Sequence, residues 1–542
     1  MRIPNDPLTR EEFYNDLVRK CLVSREERKG DYETLRSYYL FGAPGEENPA
    51  PFNKIFPHID QLVSFLYAAE TTRFSIVLGA GVNVSEHKKS PKLVQRLNDE
   101  WYSSNADLVF GEAISWAMCY NSTFVKLIWK SGKVHPYMVE PSMMGVLRED
   151  VPYLDDQEAF VNTYYITKSA LWSRLYNHPN RDSILNRITA SIKAREDIPE
   201  GVSRIVISQV NPTIYGNTNL NLSGYNRYKP RVDEPTVEMR ELWLWNDEID
   251  DYQCVTIADP GVVIYDRPGE QMFMKGEHPF IQVCPSPKYD YFWGISEVQR
   301  LIGLQDMRNR RMNEILDLLG RQVKPPTALI GFTGIMDEKN FALNRDDGLI
   351  ATDMPNAKVE QFAPALPPDL FREIGEIDAM FAEVSGIVSV LQGRGEAGVR
   401  SSGHASQLAK LGSSRAKQRA LKIEDSLEKM ATLYMKMLQA YSAEQLVDEE
   451  GNKFIPEQFT HDYYVKVDAH SNSPIFVDES RALAFNLLKV KAINRERLID
   501  LLDPPMKQLI KEDLKKIEQG EAMAAIAQQA QEQRKEQLKA VK

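Results

Sequence analysis

Apolar positions in the middle of this chain recur with the period of a helix. Over 296–322 they fall at Val298, Leu301, Ile302, Ile315, Leu316 and Leu319, one stripe of an amphipathic rod. Ser296 is placed to cap its start and Pro325–Pro326 to end it, giving a predicted length of roughly 40 Å. A second helix is predicted over 367–391, entered through Pro367–Pro368 with Asp369 in its first turn. Leu370, Ile374, Ile377, Phe381, Val384 and Val388 mark its apolar face. Asp369, Glu373, Glu376 and Glu383 mark a neighbouring face. At roughly 37 Å it matches the first rod, and the two suggest an antiparallel pair carrying an insertion at one end. That insertion, 323–366, reads as short strands with Gly and Asp-Gly turns. A Gly- and Ser-rich stretch follows the second rod, and a third helix is predicted over 405–443, roughly 58 Å long.

Upstream the period shortens to two. Residues 1–75 read as helical, with one helix near 57–71 and a Pro-rich turn at 44–53. TRFSIVLGAG (72–81) turns strand-like, and 94–129 reads as two helices followed by a strand or helix end. Residues 134–175 alternate β-branched and aromatic positions and predict strands; 176–200 predicts a helix; 204–210 a strand; 211–230 a polar loop. VEMRELWLWN (237–246), DYQCVTIAD (251–259) and GVVIYDRP (261–268) predict a meander. Strands are expected again over 462–478 and a helix over 479–502.

Composition narrows the function classes. With 542 residues, 43% hydrophobic and 26% charged, the chain has room for several domains and a large core. No apolar run reaches membrane-spanning length, and no secretory signal is expected before residue 30. The net charge of −11 argues against a surface that grips nucleic acid everywhere, though not against a conduit. Cys21, Cys119, Cys254 and Cys284 are scattered, with no CxxC, and are expected to be buried small hydrophobes. The eight histidines show no ligand spacing, so neither a metal nor a cofactor is expected. The basic character is local: from Arg394 to Lys422 seven bases stand against one acid, Glu396.

An acidic helix, a pliable basic loop and a long helix, in that order, resemble the core of the portal protein of tailed bacteriophages. HPF (278–280), WGIS (293–296) and Gln305 resemble that family's approach to its first stem helix; Ser473–Pro474 followed by an Arg481-containing helix also fits. The resemblance implies an α+β portal fold: wing (1–295), first stem helix (296–322), small α/β clip (323–366), second stem helix (367–391), tunnel loop (392–404), long helix and returning wing strands (405–474), and an α-helical crown with a C-terminal tail (475–542). It implies a ring, as dodecamer, at one capsid vertex of the virion, assembled in the host cytoplasm. Its partners would be double-stranded DNA, the large terminase, a major capsid or scaffolding protein, and then a head-completion or tail adaptor protein. Arg394, Arg400, His404 and Lys410 would contact DNA, while Asp369, Glu373, Glu376 and Glu383 would line the channel. Arg308, Arg310 and Arg311 suit either phosphate binding or pairing with acids of the adjacent subunit, and the second reading is the one favoured.

Other motifs are weaker. GRGEAG (393–398) matches GxGxxG but follows a helix rather than a strand, and LGAGVN (78–83) has Val84 where the third glycine belongs. Ser401, Ser402 and His404 have no orienting acid, and no GxSxG or Walker A motif occurs. No enzymatic activity is expected. The competing readings are an adaptor or scaffold ring without a DNA conduit and, more distantly, a phosphate-binding enzyme.

Overall fold

The computed structural model describes residues 1–42, 52–68, 72–79, 84–196, 236–323, 327–330, 358–361, 369–385, 414–447, 451–459, 463–467 and 484–490, with scattered positions at 356, 367 and between 492 and 516. Helix α1 (Pro7–Phe41) opens the chain. Asp6 caps it by accepting the Thr9 amide at 3.0 Å, and Pro7 sits where its fixed φ suits a first turn. Gly42 ends it at φ +77°, where a Cβ would lie 2.8 Å from Asn53 Cα, so a left-handed cap and a close neighbour both require glycine. Next come α2 (Ile55–Leu66), β1 (Phe74–Leu78), α3 (Val84–Ser103), α4 (Ala106–Tyr120), β2 (Thr123–Lys130), β3 (Lys133–Val139), β4 (Met144–Val146) and β5 (Ala159–Thr167). Helices α5 (Lys168–Arg174) and α6 (Arg181–Glu196) precede β6 (Thr236–Asn246), β7 (Asp251–Ala258), β8 (Val262–Pro268), the single turn α7 (Gly269–Met272) and β9 (Phe280–Val283).

The expected meander is present. β4-β5-β6-β7-β8 form one antiparallel sheet in that order, with Trp243 opposite Cys254 and Phe160 opposite Trp243. β6 is buried on both faces, which explains why its sequence shows little alternation. One face meets α1 through Tyr14, Leu17, Val18 and Cys21. The other is divided between a small cluster under α5 and α6 and the main core. A second sheet, ordered β3-β2-β9, brings residues 280–283 back beside 123–126.

One stretch corrects the sequence reading. Residues 168–174, taken as part of an alternating strand segment, form α5. Thr167 accepts the Ala170 amide at 3.3 Å, and this side-chain cap turns the chain out of β5.

The three rods follow. α8 (Glu297–Val323) is 27 residues long and α9 (Asp369–Ser385) lies within the expected second rod, whose last residues fall outside the described set. Between them β10 (Thr327–Ile330) pairs antiparallel with β11 (Lys358–Gln361). α10 (Ser414–Tyr441) is the third rod; residues 405–413 lie outside the described set. It is the hub of the main core, with Ala420, Ile423, Leu427, Met430, Tyr434, Met435 and Leu438 all buried. After a short β12 (Leu446–Val447) and β13 (Lys453–Phe454) hairpin, β14 (Tyr463–Val467) returns to pair with β1. All four cysteines are free; Cys21, Cys119 and Cys254 are buried, as expected, and Cys284 is partly so. Among the described residues no helix is long and apolar enough to cross a membrane.

Candidate functional site

The entrance to α8 is built around three residues that the sequence pattern had grouped. Trp293 is fully buried beneath the Arg28 guanidinium, 3.6 Å from its ring centroid, and donates its Nε1–H to Glu149 at 2.6 Å. Glu149 also accepts from Arg28. Gly294 turns the chain at φ +73°. Ser296 then caps α8, its Oγ accepting the Gln299 amide at 3.1 Å and donating to Cys119 O at 2.7 Å.

Further along α8, two buried amides tie the helix to the α1–α2 crossing. Gln305 Nε2 donates to Phe52 O and to Asn309 Oδ1, and its Oε1 accepts the Lys54 amide. Asn309 Nδ2 donates to Gly42 O at 2.9 Å. Amides without such partners would be costly in this core.

α8 and α9 run antiparallel: Arg308 meets Asp378 at 2.9 Å while Arg311, one turn on, meets Glu373 at 3.0 Å. Buried positions on α8 stop at Ile315, and those on α9 are Ile377 and Phe381. The pair is therefore a stalk. Its root lies in the core near 297–309 and 377–384; its outer half, 316–323 with 369–376, stands in solvent. That outer half exposes Leu316 (42%), Leu319 (39%), Val323 (76%) and Phe371 (57%), large apolar side chains with no core of their own among the described residues.

The root holds charges that the sequence reading did not single out. Glu297, fully buried, is gripped by Arg419 of α10 at 2.9 Å and by Arg300 at 3.1 Å. Lys54 reaches Asp378 at 3.4 Å. His58 is buried against Phe381, with its Nε2 lacking a hydrogen-bond partner. Burial, aided by the positive Lys54 and Arg419, pushes its pKa down to about 4. The available signal was an acid directly behind an N-cap, on the same side as Val298 and Leu301.

The expected site residues divide three ways. Arg394, Arg400, His404 and Lys410 lie outside the described residues. Asp369 and Glu376 are exposed and flank Arg372 at 3.3 and 3.6 Å; Glu383 is exposed, and Glu373 is engaged by Arg311. Arg308 and Arg311, expected to face an adjacent subunit, each meet an acid within this chain, because antiparallel packing sets Asp378 and Glu373 of α9 opposite them. Arg310 is exposed and takes part in no ion pair among the described residues.

No family model and no curated protein matches this sequence. Among solved structures, the chain is similar to one in the virion of the native gene transfer agent (GTA) particle, at 10% identity and a TM-score of 0.41, over 88% of this chain and 94% of that one. It is similar to the same extent to a chain in the neck of the empty GTA particle, again at 10% identity and a TM-score of 0.41.

Proposed function

We propose that this chain is the subunit of a portal: a closed ring at one capsid vertex through which double-stranded DNA enters and leaves a phage-like particle. The observation that carries the reading is the stalk. Two antiparallel helices leave the core with their outer half bare, and Leu316, Leu319, Val323 and Phe371 are exposed along it. Copies arranged about an axis cover such faces with each other, each subunit using two different surfaces in a heterologous contact that closes. The resemblance in element order implies a dodecamer.

In the ring, Asp369, Glu376 and Glu383 present carboxylates to the channel and discourage phosphates from adhering, while the Arg394 and Arg400 loop makes brief contacts with DNA. Glu373, already paired with Arg311, adds little net charge there. The insertion that includes β10 and β11 is the clip, docking the large terminase during packaging and a head-completion or tail adaptor protein afterwards. The wing faces the major capsid or scaffolding protein. The subunit itself performs no catalysis; ATP hydrolysis belongs to the terminase.

Negative-stain imaging with native mass measurement of the purified protein tests this. Rings with a central hole and a mass near twelve chains are expected; a monodisperse monomer would sink the reading. Charge reversal at Arg394 and Arg400 separates a conduit from an adaptor ring. Rings should persist while DNA packaging or retention falls, and unchanged packaging would remove the loop from the mechanism.

A further inference from the structure

We propose that the face built from α5, the turn after it and β8 docks an acidic, apolar-studded segment of a partner protein. The local charge runs against that of the chain. Over 168–188, Lys168, Arg174, Arg181 and Arg187 stand against a single acid, Asp182, in a protein of net charge −11. The platform is rigid, because Leu171, Leu175, Ile184 and Ile188 pack beneath it on Val237, Met239 and Ile264.

Two aromatic side chains nevertheless point outward. Trp172 is 45% exposed and Tyr176 is 72% exposed. The Arg181 guanidinium stacks over both, 5.1 and 5.6 Å from their centroids, and its Nε is shielded from solvent without a hydrogen-bond partner. Beside them Arg267 lies 4.7 Å over the Tyr265 ring. The Tyr265 hydroxyl donates to Arg174 O at 3.4 Å, which joins the two halves of the patch. Arg174, Arg181 and Arg267 form no ion pair among the described residues. The acid next to Arg267, Asp266, is turned to the other side of the strand, where it meets Arg10 and Tyr14.

Three guanidinium groups without a carboxylate partner among the described residues, set among exposed rings, call for carboxylates and apolar side chains together. Trp, Tyr and Arg are the residues that dominate protein–protein affinity, and a guanidinium already flattened on a ring loses little entropy on pairing. Duplex DNA would supply charge but nothing to cover the rings, and its affinity grows with a long track of cations rather than a compact group. The occupant favoured here is therefore a protein segment.

The test uses the full chain and a short fluorescein-labelled peptide of alternating Glu and Leu, read by fluorescence anisotropy. Controls are the Lys and Leu counterpart and a labelled DNA duplex. Saturable binding of the Glu and Leu peptide is expected, weakening as salt rises. Trp172→Ala and Arg267→Glu, both at exposed positions, should each weaken it about tenfold with an unchanged thermal midpoint. Absence of saturable binding, equal binding of the Lys and Leu peptide, tighter binding of DNA, or indifference to both substitutions would overturn the proposal. Salt titration of the unaltered protein tests it without any variant: affinity independent of ionic strength overturns it as well.

Discussion

At Gly294 the backbone has φ +73°, and a Cβ would lie 2.6 Å from Cys284 Sγ and 2.8 Å from Ser286 O. Gly294→Ala combines backbone strain with a clash against main chain that has no room to move. It should destabilise the subunit by about 2 kcal/mol or more, seen as a lower urea midpoint with an unchanged m-value. His58 tests a different term. Its pKa is about 4 in the folded chain against 6.5 for an unperturbed histidine, so between those values the unfolded state binds more protons. Stability is fully present above pH 6.5 and falls as pH drops toward 4, by roughly 3 kcal/mol at most. In His58→Leu that portion of the pH dependence should vanish; an unchanged slope of unfolding free energy against pH would refute the assignment. The importance of WGIS could be seen in the sequence as a turn and cap before a helix. The 3.6 Å stacking of Arg28 on Trp293 could not, since the two residues are far apart along the chain.

Among elements, the contrast is between the two ends of the stalk. At the root, Arg419 and Glu297 are buried together, joining α10 to the start of α8. Arg419→Met leaves the Glu297 carboxylate buried with Arg300 alone and should cost about 3 kcal/mol. Adding Glu297→Gln should recover part of that loss, and a double-mutant cycle on unfolding free energies measures the coupling. Further out, Arg311 pairs with Glu314 and Glu373 in water. Arg311→Ala should leave the unfolding midpoint where it was, because solvent screens that pair. Both helices were legible from apolar spacing, and so was the cap at Ser296. The partners of Arg308 and Arg311 were not, because an ion pair depends on the register between two helices, which neither helix encodes alone. α5 was misread for a related reason: alternation in FVNTYYIT continues past Thr167 on paper, and only the cap onto Ala170 stops it.

For the whole molecule, the bare outer half of the stalk makes the assembly testable. Leu316→Glu with Phe371→Glu places charge where neighbouring copies would meet and leaves Ile315, Ile377 and Phe381 in the core. The assembly should fall to monomers by native mass measurement while far-UV circular dichroism is unchanged; intact rings would show that this face is not the contact. What the sequence determined by itself is local. Period, caps and turns set the three rods, the meander, and the buried cysteines, since each depends on residues within a few positions or on side-chain hydrophobicity alone. What only the tertiary structure decided is which surfaces meet. β14 closes onto β1, α10 becomes the hub of the core, the stalk root acquires its buried ion pairs, and three arginines with two exposed rings gather beside β8. Those outcomes depend on contacts between distant residues, whose geometry exists only once the chain has folded.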